Sequence, residues 1–248
     1  MFQKGESVLL LGSRDFIVSL DGGMKKVKGL GIVDSGRIIG MSEGQELKIG
    51  EERFMVYRPS LEDLLEGMKR GPQIVGLKDA GMIVSLCSLR AGNTVVEGGS
   101  GSGFLTTVLA NAVYPDGKVI SYDTNGMHQR IAEGNIRSAG LSDVVEFRAG
   151  NLGEDCNEEI DAFVMDIPEP WLSLPHANRT LRNGGHLCVY VPTVNQMERI
   201  VREMRETGFW HVKAMELISR EMVVHSGGVR PDFHMLGHTG YIIHGRRA

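Results

Sequence analysis

A chain of 248 residues, 42% apolar and 23% charged, has room for one large globular domain or for a medium domain beside a small one. Its net charge of −4 gives no bulk attraction to nucleic acid, no apolar run approaches membrane-spanning length, and the longest apolar run near the start, Val8 to Leu11, is too short for a signal peptide. Cys87, Cys156 and Cys188 are scattered, without C-x-x-C spacing or a His cluster, which gives no sign of a metal and reads as reduced thiols of an intracellular, cytoplasmic protein.

Residues 1–58 are glycine-rich and carry short β-type runs: Ser7–Leu11, Phe16–Leu20, Lys25–Leu30, Arg37–Met41 and Arg53–Tyr57. Turn signals such as Asp21-Gly22-Gly23 and Asp34-Ser35-Gly36 separate them, and together they predict a small antiparallel β domain. From residue 59 to 248 the pattern alternates. Helices are expected over Leu61–Arg70 and Asp79–Ser88, then a strand over Thr94–Glu97 and a helix over Ser102–Val113. Strand Lys118–Tyr122, helix Met127–Ala139 closed by Gly140, and strands Val144–Phe147 and Ala162–Asp166 follow. A helix over Leu172–Leu181 is expected to stop at Asn183-Gly184-Gly185, before strand His186–Val191, helix Asn195–Thr207, strand Phe209–Leu217 and a last strand from about Phe233 to His244. Such βα alternation predicts a mostly parallel sheet covered on both faces, with the last two strands as an antiparallel hairpin at one edge.

The chemistry concentrates where strands end. Val95 to Thr106 reads VVEGGSGSGFLT: a strand, a glycine turn and a helix start, the arrangement that brings backbone N–H groups close to a charged small molecule. Gly99, Gly101 and Gly103 lack the G-x-G-x-x-G dinucleotide spacing, because Phe104 and Thr106 stand where its third glycine would fall. The E-x-G-x-G-x-G order instead resembles the first motif of S-adenosylmethionine-dependent methyltransferases. Asp123 ends the next strand, where a carboxylate can accept hydrogen bonds from both ribose hydroxyls; as a bare turn residue before Thr-Asn-Gly it would need no ligand. Asn151 could bond an adenine edge, and His128 opens the following helix; taken singly, each is an ordinary turn or helix residue. Asp166-Ile167-Pro168-Glu169-Pro170-Trp171 ends the fourth strand beside the glycine turn, its prolines stiffening the chain so that Asp166 would be held near the sulfonium and Trp171 would pack or stack.

Four further stretches carry a family resemblance. Met68 to Asp79 (MKRGPQIVGLKD) precedes the glycine motif; Asp166 to Trp171, Val191 to Gln196 (VPTVNQ) and Arg230 to Tyr241 (RPDFHMLGHTGY) follow it. In this order they look like the TrmI family of tRNA (adenine-N1)-methyltransferases, which modify adenine 58 in the T loop and, in archaea, adenine 57 as well. The resemblance implies a Rossmann-like α/β class I methyltransferase with a seven-stranded, mostly parallel sheet and a small N-terminal β domain. It implies S-adenosylmethionine as cofactor, tRNA as partner, a homotetramer, and no membrane or metal. By motif position Gly99, Ser100, Gly101, Ser102, Gly103, Phe104, Asp123, His128, Asn151 and Asp166 would line the cofactor, and Asp166 and Tyr190 would approach the target adenine. The chain departs from the pattern at Asn151, usually Asp; at Asp123, usually Glu; at Gly76-Leu77, often Tyr-Pro; and at Met222, where the family carries Trp. Phosphate contacts would come from Lys25, Lys26, Lys28, Arg58, Lys69, Arg70, Arg246 and Arg247, although the lysine run by itself is better read as a solvated hairpin edge. The rival readings are another class I methyltransferase acting on a protein carboxyl or a small molecule, and a non-catalytic tRNA-binding subunit. Intact Gly99, Gly101, Gly103 and Asp166 favour catalysis over the latter.

Overall fold

The computed structural model describes residues 1–69, 71, 74–152 and 159–248, so Arg70, Pro72, Gln73 and Cys156 lie outside the described residues. The first fifty-odd residues form β1 (Ser7–Leu11), β2 (Phe16–Ser19), β3 (Met24–Val27), β4 (Gly31–Asp34), β5 (Gln45–Ile49) and β6 (Glu52–Tyr57). Four of them make an antiparallel sheet in the order β2-β1-β6-β5, and β3 and β4 pair as a separate hairpin. Alternate residues of these strands meet in a core of their own, around Phe2, Leu10, Leu20, Ile38 and Phe54. The strand expected over Arg37–Met41 is instead a turn that follows a short 3-10 helix, Ser35–Arg37. Turn chemistry outweighs the apolar run there: Ser35 Oγ donates to Asp21 Oδ1 (2.8 Å), and Asp34 Oδ1 accepts from Gly36 N (3.0 Å).

The rest of the chain builds α1 (Leu61–Glu66), α2 (Leu77–Leu86), β7 (Thr94–Gly98), α3 (Phe104–Val113), β8 (Lys118–Asp123), α4 (Gly126–Ala139), β9 (Val145–Ala149) and β10 (Ile160–Met165). It continues with α5 (Leu174–Thr180), β11 (Leu181–Val191), α6 (Val194–Glu206), β12 (Phe209–Glu216), β13 (Met222–His225), β14 (Gly228–Pro231) and β15 (Tyr241–Arg247). Seven strands form one sheet in the order β12-β15-β11-β10-β7-β8-β9. β7 to β11 run parallel, and only β15 is reversed, antiparallel to both β11 and β12. The last two strands of this sheet, β12 and β15, pair antiparallel at one edge as expected, with β15 lying between β12 and β11. Asn183-Gly184-Gly185 do not stop a helix: they lie inside β11, where the register against β10 shifts between Ile160 and Ala162. The β13–β14 hairpin was not expected from the sequence; it pairs only with itself.

The two faces of the sheet bury separate clusters. Val95, Val119, Val164 and Cys188 meet α2 and α3 on one side, and Val96, Ile120, Phe163 and Val189 meet α5 and α6 on the other. Strand order reverses between β7 and β10, and the crevice beyond their carboxyl ends is where an open α/β sheet takes a ligand.

Candidate functional site

Three glycines shape the turn after β7, each for its own reason. Gly99 has φ +94°, and a Cβ there would lie 2.2 Å from the Asp166 carbonyl oxygen, so the turn presses against the end of β10. Gly103 has φ +81°, and a Cβ there would lie 3.0 Å from the Cα of Ala132 in α4. At Gly101, φ +51°, a Cβ would meet nothing within 4 Å; the backbone there faces open space that a ligand can enter. Gly99 N and Ser100 N both donate to Tyr122 O (2.8 and 3.2 Å), and Gly103 N donates to Ser100 O (2.7 Å).

A buried carboxylate fastens this turn. Glu97, fully enclosed at the end of β7, accepts at Oε2 from Thr106 Oγ1 (2.6 Å) and Ser121 Oγ (2.5 Å), and Ser121 Oγ is 2.6 Å from Ser100 Oγ. Glu97 Oε1 is buried without a hydrogen-bond partner among the described residues, and burial pushes this carboxyl up to about 7. Asn135 of α4 braces the other side: its Nδ2 donates to Ser102 O (2.7 Å) and Lys69 O (2.9 Å), and its Oδ1 accepts from Lys69 N (3.1 Å).

The acidic candidates surround the turn. Asp123 Oδ2 accepts from Gly101 N (2.9 Å) and Oδ1 from Asn125 N (2.8 Å), which aims the carboxylate at the glycine turn. His128 Nδ1 lies 3.7 Å from Asp123 Oδ2. Asn151 is exposed just past the end of β9, beside β8. Asp166 follows β10, its N–H donating to Gly98 O (2.8 Å). Its carboxylate has no hydrogen-bond partner among the described residues, and burial pushes it up to about 6. Ser100 and Ser102 are nearly enclosed and Phe104 points its ring into the core, so the main-chain groups of these three are what the turn can offer a ligand. Trp171 packs against the core cluster on the α5–α6 side of the sheet, and the Arg199 guanidinium stacks 3.8 Å above its ring.

Tyr190, only 3% exposed, belongs to a network that motif reading missed. Its hydroxyl donates to Asp79 Oδ2 (3.3 Å), which also accepts from Thr239 Oγ1 (2.8 Å). Lys78 Nζ donates to Asp79 Oδ1 (2.8 Å), Thr239 Oγ1 (2.7 Å) and Leu217 O (2.8 Å). Gly240 lies flush against the ring, where a Cβ would be 2.3 Å from Tyr190 Cζ. Burial, with the Asp79 charge adding to it, pushes the phenol up to about 12. A signal for Asp79 was present in the sequence: it falls four and eight residues before Ile83 and Cys87, on the helix face that turns inward. Among the described residues no helix is long and apolar enough to cross a membrane, and no group of His, Cys, Asp and Glu could hold a metal ion.

Residues 65–230 match the family model described as the tRNA methyltransferase complex GCD14 subunit. A tRNA (adenine(57)-N(1)/adenine(58)-N(1))-methyltransferase TrmI from Methanocaldococcus jannaschii is 35% identical over 86% of this chain and 84% of its own length. A tRNA (adenine(58)-N(1))-methyltransferase TrmI from Thermus thermophilus is 36% identical over 80% and 78%. Among solved structures, an S-adenosylmethionine-dependent O-methyltransferase from Thermotoga maritima superposes with TM-score 0.80 at 28% identity, covering 100% of this chain and 94% of that one. The tRNA (m1A58) methyltransferase TrmI from Aquifex aeolicus gives 0.75 at 29%, covering 100% and 98%. With its glycine turn, its strand-end carboxylates and its sheet order, the chain belongs to the TrmI family of tRNA (adenine-N1)-methyltransferases.

Proposed function

We propose that this protein transfers a methyl group from S-adenosylmethionine to N1 of adenine 58 of tRNA, with adenine 57 as a further candidate target. One observation carries the reading: a half-buried carboxylate with no hydrogen-bond partner among the described residues, Asp166, stands against the glycine turn at the switch point of the sheet. The site suits the cofactor. Gly101 leaves space above the turn, and Asp123, already aimed by two backbone N–H groups, keeps lone pairs for ribose hydroxyls. We assign cofactor contacts to Gly99, Ser100, Gly101, Ser102, Gly103, Phe104, Asp123, His128, Asn151 and Asp166. At Asn151 an amide in place of the family's acid keeps a hydrogen bond and drops a charge. When bound, the cofactor supplies an electrophilic methyl group on a sulfonium.

Adenine N1 attacks with a neutral lone pair, so no general base is required; alignment and exclusion of water are the protein's task. As the ring gains positive charge, ionised Asp166 accepts a hydrogen bond from the exocyclic amine and stabilises that charge. N1 lies on the base-pairing edge, so the adenine must leave its stack, at a cost of a few kcal/mol. Tyr190 is proposed to hold the extruded base, and Lys78, Asp79 and Thr239 act as positioning residues that fix its ring. With 3% of Tyr190 exposed, base contact requires Thr239–Gly240 to shift off it.

We further propose a domain boundary at 58/59, supported by the separate core within residues 2–56. A homotetramer is supported by the concentration of exposed large apolar side chains between Ile218 and Leu236, including Val224, Val229 and Phe233. The buried free thiols of Cys87 and Cys188 agree with a cytoplasmic setting. The deciding assay incubates the protein with unmodified tRNA and labelled cofactor and maps the nucleosides. 1-Methyladenosine at position 58 is expected; its absence, or label only in protein, overturns the reading.

A further inference from the structure

A cleft of about 660 Å3 separates the N-terminal β layer from the larger sheet domain, with β2 and β3 on one wall and α1 and α4 on the other. Among the described residues four cations line it, Lys25, Lys26, Lys69 and Arg130, and no carboxylate does. In a chain with 31 acidic and 27 basic residues this is a local inversion of charge. Lys25 has an ion pair with Asp21 (3.4 Å), whereas Lys26, Lys69 and Arg130 have none among the described residues.

The walls are joined and the space between them is kept open. Ser7 Oγ of β1 donates to the Ser138 carbonyl of α4, tying the two layers. Gly134 sits in the middle of α4, where glycine costs about 1 kcal/mol relative to alanine, yet a Cβ there would meet nothing within 4 Å. A larger side chain at this position would project into the cleft. The cleft also reaches the proposed active site: Asn135, which lines it, bonds both Lys69 and Ser102 of the glycine turn.

We propose that this cleft seats the phosphodiester backbone of the substrate RNA, an inference that rests on the tRNA reading above. Unpaired cations over a partly apolar floor suit a strand of phosphates whose condensed counterions are released on binding. The shared Asn135 bridge sets the held strand at a fixed distance from the glycine turn.

The test compares the full-length protein with a Lys26→Gln/Arg130→Gln double variant and with Gly134→Leu, whose helix propensity exceeds that of the parent. Binding of unmodified tRNA is followed by fluorescence anisotropy from 50 to 300 mM salt, alongside methylation kinetics and the thermal shift on adding S-adenosylmethionine. Loss of two phosphate contacts should weaken tRNA binding about thirtyfold at 0.15 M salt and lower the slope of log K against log salt by about 2. Gly134→Leu should weaken binding with the slope less affected. In all variants KM for tRNA should rise while kcat at saturation and the cofactor's thermal shift stay unchanged. Unchanged tRNA affinity and slope in the double variant, with wild type making 1-methyladenosine, would overturn the cleft assignment and leave the functional reading standing. If polyglutamate displaced tRNA as well as an RNA competitor of equal charge does, the cleft would be a seat for acidic protein and the assignment would fail. Wild type that neither binds nor methylates tRNA would overturn both.

Discussion

Replacing Asp166 by Asn keeps the shape of the side chain and removes its charge. The carboxyl lies near 6 rather than at its ordinary 3.8, and burial is the cause. That difference corresponds to a penalty of about 3 kcal/mol on the ionised form in the folded protein. Because the folded value is raised, the penalty is absent below pH 3.8, builds as the pH rises through about 6 and is complete above it. Water reaching the carboxylate reduces the gain, so Asp166→Asn should stabilise the fold by about 1–2 kcal/mol at pH 8, or about 2–8 °C in Tm. At pH 4.5 about a third of that gain should remain. The same substitution should lower methylation of tRNA about a hundredfold or more, since an amide carries no charge to balance the adenine ring. Wild-type rate should rise with pH through about 6 as Asp166 ionises, and the residual rate of the variant should lack that rise. Thermal melts at both pH values and labelled-methyl transfer measure these effects. A variant no more stable at pH 8, a gain equal at both pH values, or full activity would refute the reasoning.

Gly99→Ala places a Cβ 2.2 Å from the Asp166 carbonyl at φ +94°. It should cost about 3 kcal/mol and abolish the thermal shift with S-adenosylmethionine; an unshifted urea midpoint with normal cofactor response would count against the close approach of the turn to β10. Asp79→Ala leaves Lys78 Nζ, Thr239 Oγ1 and the Tyr190 hydroxyl without their shared acceptor. A loss of about 3–5 kcal/mol is expected in urea unfolding, and a near-neutral effect would show that the network does not hold Tyr190.

The alternation of helix and strand from residue 59 onward was legible because period and turn chemistry agree locally. Gly140 at φ +73° closes α4 as expected, and the strand ends at Asp123 and Asp166 were foreseen within a residue or two. Local signals conflict in the N-terminal layer: the sequence shows no clear strand pattern at β4 or β5 and an apolar run at Arg37–Met41, where side-chain bonds from Ser35 and Asp34 make a turn instead.

By itself the sequence determined that a glycine turn and two strand-end carboxylates share one edge of a parallel sheet, since spacing along the chain and the direction of strands are local properties. The insertion of β15 between β11 and β12 was a tertiary decision, because strand order depends on contacts between residues far apart in the chain. So was the joining of Asp79 to Tyr190 and Thr239, over 111 and 160 residues. The raised Asp166 carboxyl and the acid-free cleft are tertiary for the same reason: desolvation and charge imbalance arise only when distant segments exclude water together.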